Sequence, residues 1–520
     1  MFLALNFCWR CNVKTKLLVF TVFFLWVVPT FAEMIVDTAW VRRYNGPANF
    51  EDHANAIAVD NSSNVYVTGI IFYDYETFFD CATIKYYPNG DTAWVRRYNG
   101  PGNSSDGAYA IAVDDSGNSY VTGQSGGSGT RNDYVTIKYY PNGDTAWVRR
   151  YNGPGNGDDI AYAIVIDSSG NIYVTGQSYG SGTRSDYATI KYYPEGDIAW
   201  VRRYNGPRDT TDYANAIAVD GSGNVCVTGE SYGSSTNCDD ATISYYPNGD
   251  TAWVRRYNGP GNSSDGAWAI AVDSSGNIYV TGWSMGIGTG DDYATIKYYP
   301  NGDTAWVRRY NGPGNSSDVA RAIAVEGSGN VYVTGWCCVS GSDFDYATIK
   351  YYPNGDTAWV RRYNGPANSE DGAYAIAVDS SGNVYVTGGS EGDYATIKYF
   401  PSGDTAWARR YNGPGNNDDY ANAIAVDVSG NVHVTGRCNV SGSDYDYATI
   451  KYFQVLRGDV NRDGMIDVGD VVFLINYLFR YGPSPEPLQT GNTNCIGGVD
   501  VGDVVVLINY LFKGGPPPSC

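Results

Sequence analysis

The chain has 520 residues, of which 43% are hydrophobic, 15% aromatic and only 17% charged, with 64 Gly and 47 Tyr; this excess of turn and strand formers excludes a helical bundle. A formal charge of −20 argues against nucleic acid as a partner, because an acidic surface repels phosphate. The two histidines, His53 and His433, leave little scope for a His-rich zinc centre or a Ser-His-Asp relay.

Residues 1–32 read as a signal peptide. Arg10, Lys14 and Lys16 precede an apolar run from Leu17 to Val28, and Thr30-Phe31-Ala32 offers small residues for cleavage after Ala32. The run is shorter than the roughly 18 apolar residues of a membrane span. The expectation is a secreted, extracellular protein of bacterial type, cell-surface associated through a partner, with no transmembrane anchor. Loss of the leader would leave cysteines at 81, 226, 238, 337, 338, 438, 495 and 520, too sparse to be the main staple. Cys226 with Cys238, on successive strands of one repeat, is the leading candidate pair, and Cys495 with Cys520 the second.

From residue 37 one phrase recurs: DTAWVRRYNGP, a loop, AIAVD, SGNVYVTG, a second loop, then DYATIKYYPNG. Its tryptophans, Trp40, Trp94, Trp147, Trp200, Trp253, Trp306, Trp359 and Trp407, are spaced by 54, then 53 five times, then 48. A period of this length belongs to arrays and propellers. Each unit holds four segments rich in β-branched and aromatic residues, punctuated by Ser-Gly-Asn, Pro-Asn-Gly and Asn-Gly-Pro turns. Eight units of four strands predict an all-β, eight-bladed β-propeller of four-stranded antiparallel blades over residues 37–453. AIAVD suits the crowded inner strand, which makes DTAWVRRYNG the outer one. On that phase the last blade lacks an outer strand, and the N-terminal strand around Trp40 supplies it, closing the ring and removing two sheet edges. An open solenoid is the alternative. The SGNVYVTG and DYATIKYYPNGDTAW segments resemble the SBBP type of β-propeller repeat of secreted and surface bacterial proteins, which implies the same fold and leaves function open.

After Phe453 come GDVNRDGMIDVGDVVFLINYLF and, 33 residues on, GNTNCIGGVDVGDVVVLINYLF. In the first copy Asp459, Asn461, Asp463, Asp467 and Asp470 fall at loop positions 1, 3, 5, 9 and 12, with Gly464 at the sharp turn and Met465 offering its carbonyl at position 7. Oxygen donors at that spacing suit calcium; the plain alternative is an acidic turn that caps a helix. The second loop, Asn492, Asn494, Asp500 and Asp503, is degenerate because Ile496 replaces a carboxylate. The duplicated loop and helix over residues 457–514 resembles a type I dockerin, which implies calcium-dependent attachment to a cohesin-like module or surface scaffold. Ile475-Asn476 and Ile508-Asn509 stand where dockerins carry a basic pair, a departure that bears on partner choice. Val471, Phe473, Leu474 and Leu478 are expected to pack on Val504, Leu507 and Leu511. Residues 515–520 form a Pro-rich tail.

Within the propeller, an aspartate precedes each inner-strand isoleucine by five residues: Asp52, Asp106, Asp159, Asp212, Asp265, Asp318, Asp371 and Asp419. A feature identical in every blade is read as serving the blade, by accepting local backbone amides, and the paired arginines likewise. Two residues before each isoleucine the frame varies: Asn55, Tyr109, Tyr162, Asn215, Trp268, Arg321, Tyr374 and Asn422. Such variation marks a ligand-reading surface near one channel mouth, where aromatic faces stack on sugars and Asn and Arg bond hydroxyls; gap filling between blades explains it equally. Unit seven shortens the neighbouring loop by five residues at Gly389 to Gly392, which should notch the rim. No nucleophile with its base, and no singular carboxylate pair, stands out. The expected function is a non-enzymatic binding or scaffold protein whose propeller face takes carbohydrate or protein and whose dockerin-like module anchors it. The alternatives are a polysaccharide-degrading glycoside hydrolase or lyase, and a ligand-free surface spacer.

Overall fold

The structure, a computed structural model, describes residues 34–74, 78–233, 237–340, 343–441, 444–463 and 465–519; the expected signal peptide and Gly464 lie outside them. They divide into a large unit, Val36–Gln454, and a smaller one that holds the C-terminal residues from Val455.

The large unit is eight four-stranded antiparallel sheets. In the first, Asp52–Val59, Val65–Asp74, Phe78–Tyr86 and Thr92–Tyr98 run outward from the channel, and the order repeats through Thr405–Tyr411. The eighth sheet pairs the N-terminal strand Met34–Tyr44 with Asp444–Leu456, followed by Val432–Ser441 and Tyr420–Val426. The first and last strands of the propeller therefore close the ring, as the phase of the repeat predicts. Across that junction Asn422 Nδ2 donates to the Ala54 carbonyl at 2.9 Å and Lys451 Nζ to the Pro88 carbonyl at 3.1 Å.

The core lies between blades. Each outer-strand tryptophan packs on the second and third strands of the next blade, as Trp40 does on Val65, Val67, Ile84 and Tyr86. Its indole N–H crosses the same seam: Trp94 donates to Pro141 O at 3.1 Å. The first arginine of each pair follows it, Arg149 Nε donating to Gly196 O at 2.6 Å. The second pairs within its own blade, Arg203 Nη2 lying 2.7 Å from Asp186 Oδ2, and reaches back to the preceding one, Arg203 Nη1 donating to the Tyr151 hydroxyl at 3.3 Å. Both arginines serve the scaffold. A buried lysine completes the seam: Lys191 Nζ donates to Pro247 O at 3.2 Å and lies 5.1 Å above the Tyr173 ring, which together compensate its lost hydration.

The expected Cys226–Cys238 disulfide is corrected: both are buried thiols. Adjacent strands do not ensure adjacent sulfurs, and the register pairs Cys226 with Ser244 and Cys238 with Tyr232, six residues or roughly 20 Å apart along the strand. Cys495 is disulfide-bonded, and its expected partner Cys520 lies outside the described residues.

The smaller unit carries helices α1 (Val468–Arg480), α2 (Leu488–Gly491) and α3 (Val501–Lys513). Val471 and Leu474 of α1 pack with Val504 and Leu507 of α3, with Phe473, Leu478 and Leu511 at the margin.

Candidate functional site

All eight inner-strand aspartates are buried, and each accepts the amide of the glycine six residues earlier, as Asp159 does from Gly153 at 2.7 Å. In six blades the other oxygen takes an amide from the end of the second strand, for example Tyr179 N to Asp159 at 2.9 Å. The local role expected from their uniformity is the one they play. Burial lifts their carboxyls from the ordinary 3.8, Asp52 to about 7 and Asp318 and Asp419 to about 6.

The eight variable positions share one backbone feature. In every blade the pairing of inner and second strands skips one residue, leaving a bulge, and the skipped residues are Asn55, Tyr109, Tyr162, Asn215, Trp268, Arg321, Tyr374 and Asn422. A bulge re-aims its side chain, and all eight are half-buried. The asparagines brace the ring: Asn55, Asn215 and Asn422 donate at 2.9 Å to the carbonyls of Ala108, Ala267 and Ala54 in the next blade. The aromatic members meet sideways, Tyr109 and Tyr162 at 6.1 Å between ring centroids. The Arg321 guanidinium lies between Trp268 at 4.2 Å and Trp336 at 4.5 Å. Arg321 Nε and Trp268 Nε1 are buried with no hydrogen-bond partner among the described residues.

Sequence reasoning missed a second variable set, the second-strand residues Ile70, Gln124, Gln177, Glu230, Trp283, Trp336, Gly389 and Arg437. Ile70, Glu230, Trp336 and Gly389 lie against the entry residue of the next blade, and there sizes complement. A Cβ added at Gly107 would lie 3.1 Å from Ile70, one at Gly266 2.8 Å from Glu230, and one at Gly372 3.7 Å from Trp336. At Gly389 the relation reverses, and Tyr420 fills the space.

A singular carboxylate pair, not expected from the sequence, also emerges. Glu230 faces Asp240 across the fourth blade. Asp240 stands where six other blades place a tyrosine that donates to the next blade, as Tyr187 does to Ala241 O at 3.1 Å. Burial raises Asp240 to about 7, against the hydroxyls of Thr228 and Thr242 at 3.1 and 3.3 Å. With Asp240 sealed inside the blade contact, the pair does not present two carboxyls to a glycosidic bond.

An opening lies at the seventh blade, where the shortened loop is the two-residue turn Glu391-Gly392, with φ of 53° and 81° and the positive dihedrals of a tight hairpin. Beside this notch is a cavity of about 790 Å³ lined by Trp336, Phe344, Tyr374 and Tyr420 and by the acids Glu370, Asp371, Glu391 and Asp418. Tyr374 and Tyr420 also border a cavity of about 500 Å³ with His53, Asn55, Asn422 and Arg437. Burial, and then the charge of Arg437, lower His53 to about 4, so this cavity carries a neutral imidazole at neutral pH.

In the smaller unit the two loops share one geometry. Asp470 Oδ1 accepts from Val460 N and Asn461 N at 2.6 and 3.0 Å and its Oδ2 from Asp467 N at 2.8 Å; Asp503 accepts from Asn494 N and Asp500 N at 2.9 and 2.8 Å. Asp467 and Asp500 cap α1 and α3 in capping boxes, so the helix-capping role is present. The residues also suit a hard cation. The Asp459, Asn461 and Asp463 side chains turn back on one loop, with Asp463 N donating to Asn461 Oδ1 at 2.9 Å, and Asn492 Oδ1, at position 1 of the second loop, is buried without a partner among the described residues. Among those residues no three His, Cys, Asp or Glu side chains converge, so a cation here would rely on the Asn and carbonyl oxygens as well.

Six stretches, residues 93–129, 146–182, 199–235, 252–288, 358–395 and 406–442, match the SBBP β-propeller repeat. An uncharacterized WD repeat-containing protein of Acanthamoeba polyphaga mimivirus is 23% identical over 66% of this chain, which spans 30% of that protein's length. Among solved structures, a protein of unknown function from Dyadobacter fermentans covers 80% of this chain and 98% of its own at 10% identity and a TM-score of 0.38. A gluconolactonase from Xanthomonas campestris covers 54% and 90% at 12% identity and a TM-score of 0.29. No activity is carried over at these scores. The eight sheets and their closure make the large unit an eight-bladed β-propeller, and six of its stretches are similar to the SBBP repeat.

Proposed function

We propose that the chain is a non-enzymatic binding protein whose propeller mouth takes a glycan and whose C-terminal module anchors it to a surface or extracellular assembly. The observation that carries this reading is the cavity at the notch of the seventh blade. Its rings offer flat faces for sugars and its carboxylates accept hydroxyls, and the notch interrupts an otherwise regular rim. Incubation of the protein with a panel of polysaccharides tests it. Retention of a polysaccharide without cleavage is the expected result; release of reducing or unsaturated ends would make the chain a hydrolase or lyase, and neither outcome would make it a spacer.

On the same reading the first C-terminal loop takes calcium through Asp459, Asn461, Asp463, the Met465 carbonyl, Asp467 and Asp470, and the second loop, lacking the carboxylate at Ile496, binds more weakly. The dockerin-like duplication supports a cohesin-like partner. Asp459→Ala with Asp463→Ala should abolish calcium-induced ordering of this module and leave the propeller melt unchanged; equal loss in both would overturn the assignment.

A further inference from the structure

The cavity at the seventh-blade notch is lined by four acids, four aromatic rings and no basic side chain. Glu391 is already paired with Arg410 at 3.2 Å and accepts the Ala367 amide. Glu370 and Asp418 are exposed on the cavity lip and form no salt bridge among the described residues. Asp371 differs again. It is 1% exposed, its Oδ2 accepts from Gly365 N at 2.7 Å, and its Oδ1 is buried without a partner among the described residues. The amide that serves this oxygen in six other blades here belongs to Glu391, and it donates instead to the Glu370 carbonyl at 3.1 Å, as Met285 N does to Ser264 O beside Asp265 in the fifth blade.

A buried carboxyl oxygen with no donor, beside two unpaired carboxylates and several π faces, is chemistry that a cation completes. The rings of this mouth already receive cations: Arg321 stacks on Trp336, and Arg437 lies 4.8 Å from Tyr420 and 4.9 Å from Tyr445. Those two arginines flank the notch without lining its cavity, and Arg410 is occupied by Glu391 and Asp393, so the acids on the lip keep the cavity negative.

We propose that the notch recognises an amino sugar through its free ammonium group, with Glu370 and Asp418 as counter-charges, Asp371 Oδ1 as a buried hydrogen-bond acceptor, and Trp336, Tyr374 and Tyr420 as the stacking faces. This rests on the reading of the mouth as a glycan site and names the class of glycan. The test is calorimetric titration of the full chain, at mildly acidic pH where the amine is charged, with a short β-linked glucosamine oligomer, its fully N-acetylated twin and a neutral glucose oligomer. The glucosamine oligomer should bind at least about tenfold more tightly than its N-acetylated twin. Glu370→Gln with Asp418→Asn should erase that preference and leave affinity for the neutral oligomer unchanged. Equal binding of the charged and acetylated oligomers would overturn the proposal while leaving glycan binding intact. A preference that survives in the double variant would also overturn it, by assigning the effect to overall negative charge. Binding of no oligomer at all would remove the glycan reading and this proposal together.

Discussion

The two ends of each blade obey different rules. At the base, where the inner strand turns into the second, one set of contacts repeats: Asp114 accepts the amides of Ser116 and Asn118 at 3.0 and 2.9 Å and the Tyr120 hydroxyl at 3.0 Å, while Lys138 rests on that ring and binds the next blade. At the mouth the backbone repeats but the side chains do not. Electrostatics divides the same way. Burial pulls Asp167 and Asp273 at the base upward, but donors from Asn, Tyr and backbone outweigh it and hold both below the ordinary range. At the mouth burial prevails, and Asp52, Asp318 and Asp419 are raised. Stability resides in the base and the seams between blades, which frees the mouth to vary.

That division can be broken most severely at the closure. Deleting residues 34–44 exposes two sheet edges and removes Trp40 from its core, and should abolish the single cooperative unfolding transition in a circular dichroism melt. Next in size, Asp159→Ala leaves the buried amides of Gly153 and Tyr179 without acceptors and should cost about 3 kcal/mol in chemical denaturation. Tyr162→Ala, three residues along the same strand at a variable position, should cost about 1 kcal/mol or less; equal losses would dissolve the contrast between fixed and variable positions.

A raised carboxyl binds its proton more readily in the folded state, so its contribution grows as pH falls from its folded value towards 3.8. The melting temperature should therefore rise by about 5 °C between pH 7 and pH 5, before the depressed base aspartates begin to protonate further down. A flat or opposite profile would place the mouth aspartates in the ionised class. The smallest effect expected is a gain: Asp240→Tyr restores the inter-blade donor and should stabilise the chain by about 1 kcal/mol, read from the denaturation midpoint.

The sequence made the frame legible because every blade states it anew. A period of 53 residues, an out-of-phase start and eight tryptophans suffice for the blade number and the closure. The bulge residues were legible for the converse reason, as variation at a fixed offset. What stayed hidden depends on register and on neighbours half a hundred residues away. The complementarity of Glu230 with Gly266 and of Gly389 with Tyr420 crosses blades, so no single repeat reveals it. The pairing of Glu230 with Asp240, and the separation of Cys226 from Cys238, follow from how one hairpin is aligned, which strand propensity does not specify. The fourth blade also shows why such exceptions come together: Cys226 replaces the base tyrosine and Ser244 the lysine that would have rested on it.

Because Met34–Tyr44 is bonded to Asp444–Leu456, the propeller's first strand must wait for its last before its hydrogen bonds are complete. Such a belt stays unbuckled until translation has delivered all eight blades, and its slowest folding step should be the fastening of the buckle. The same arrangement makes the starting point arbitrary: a circular permutant cut at a base turn, with the old termini fused, would carry its buckle at a different blade and keep the ring.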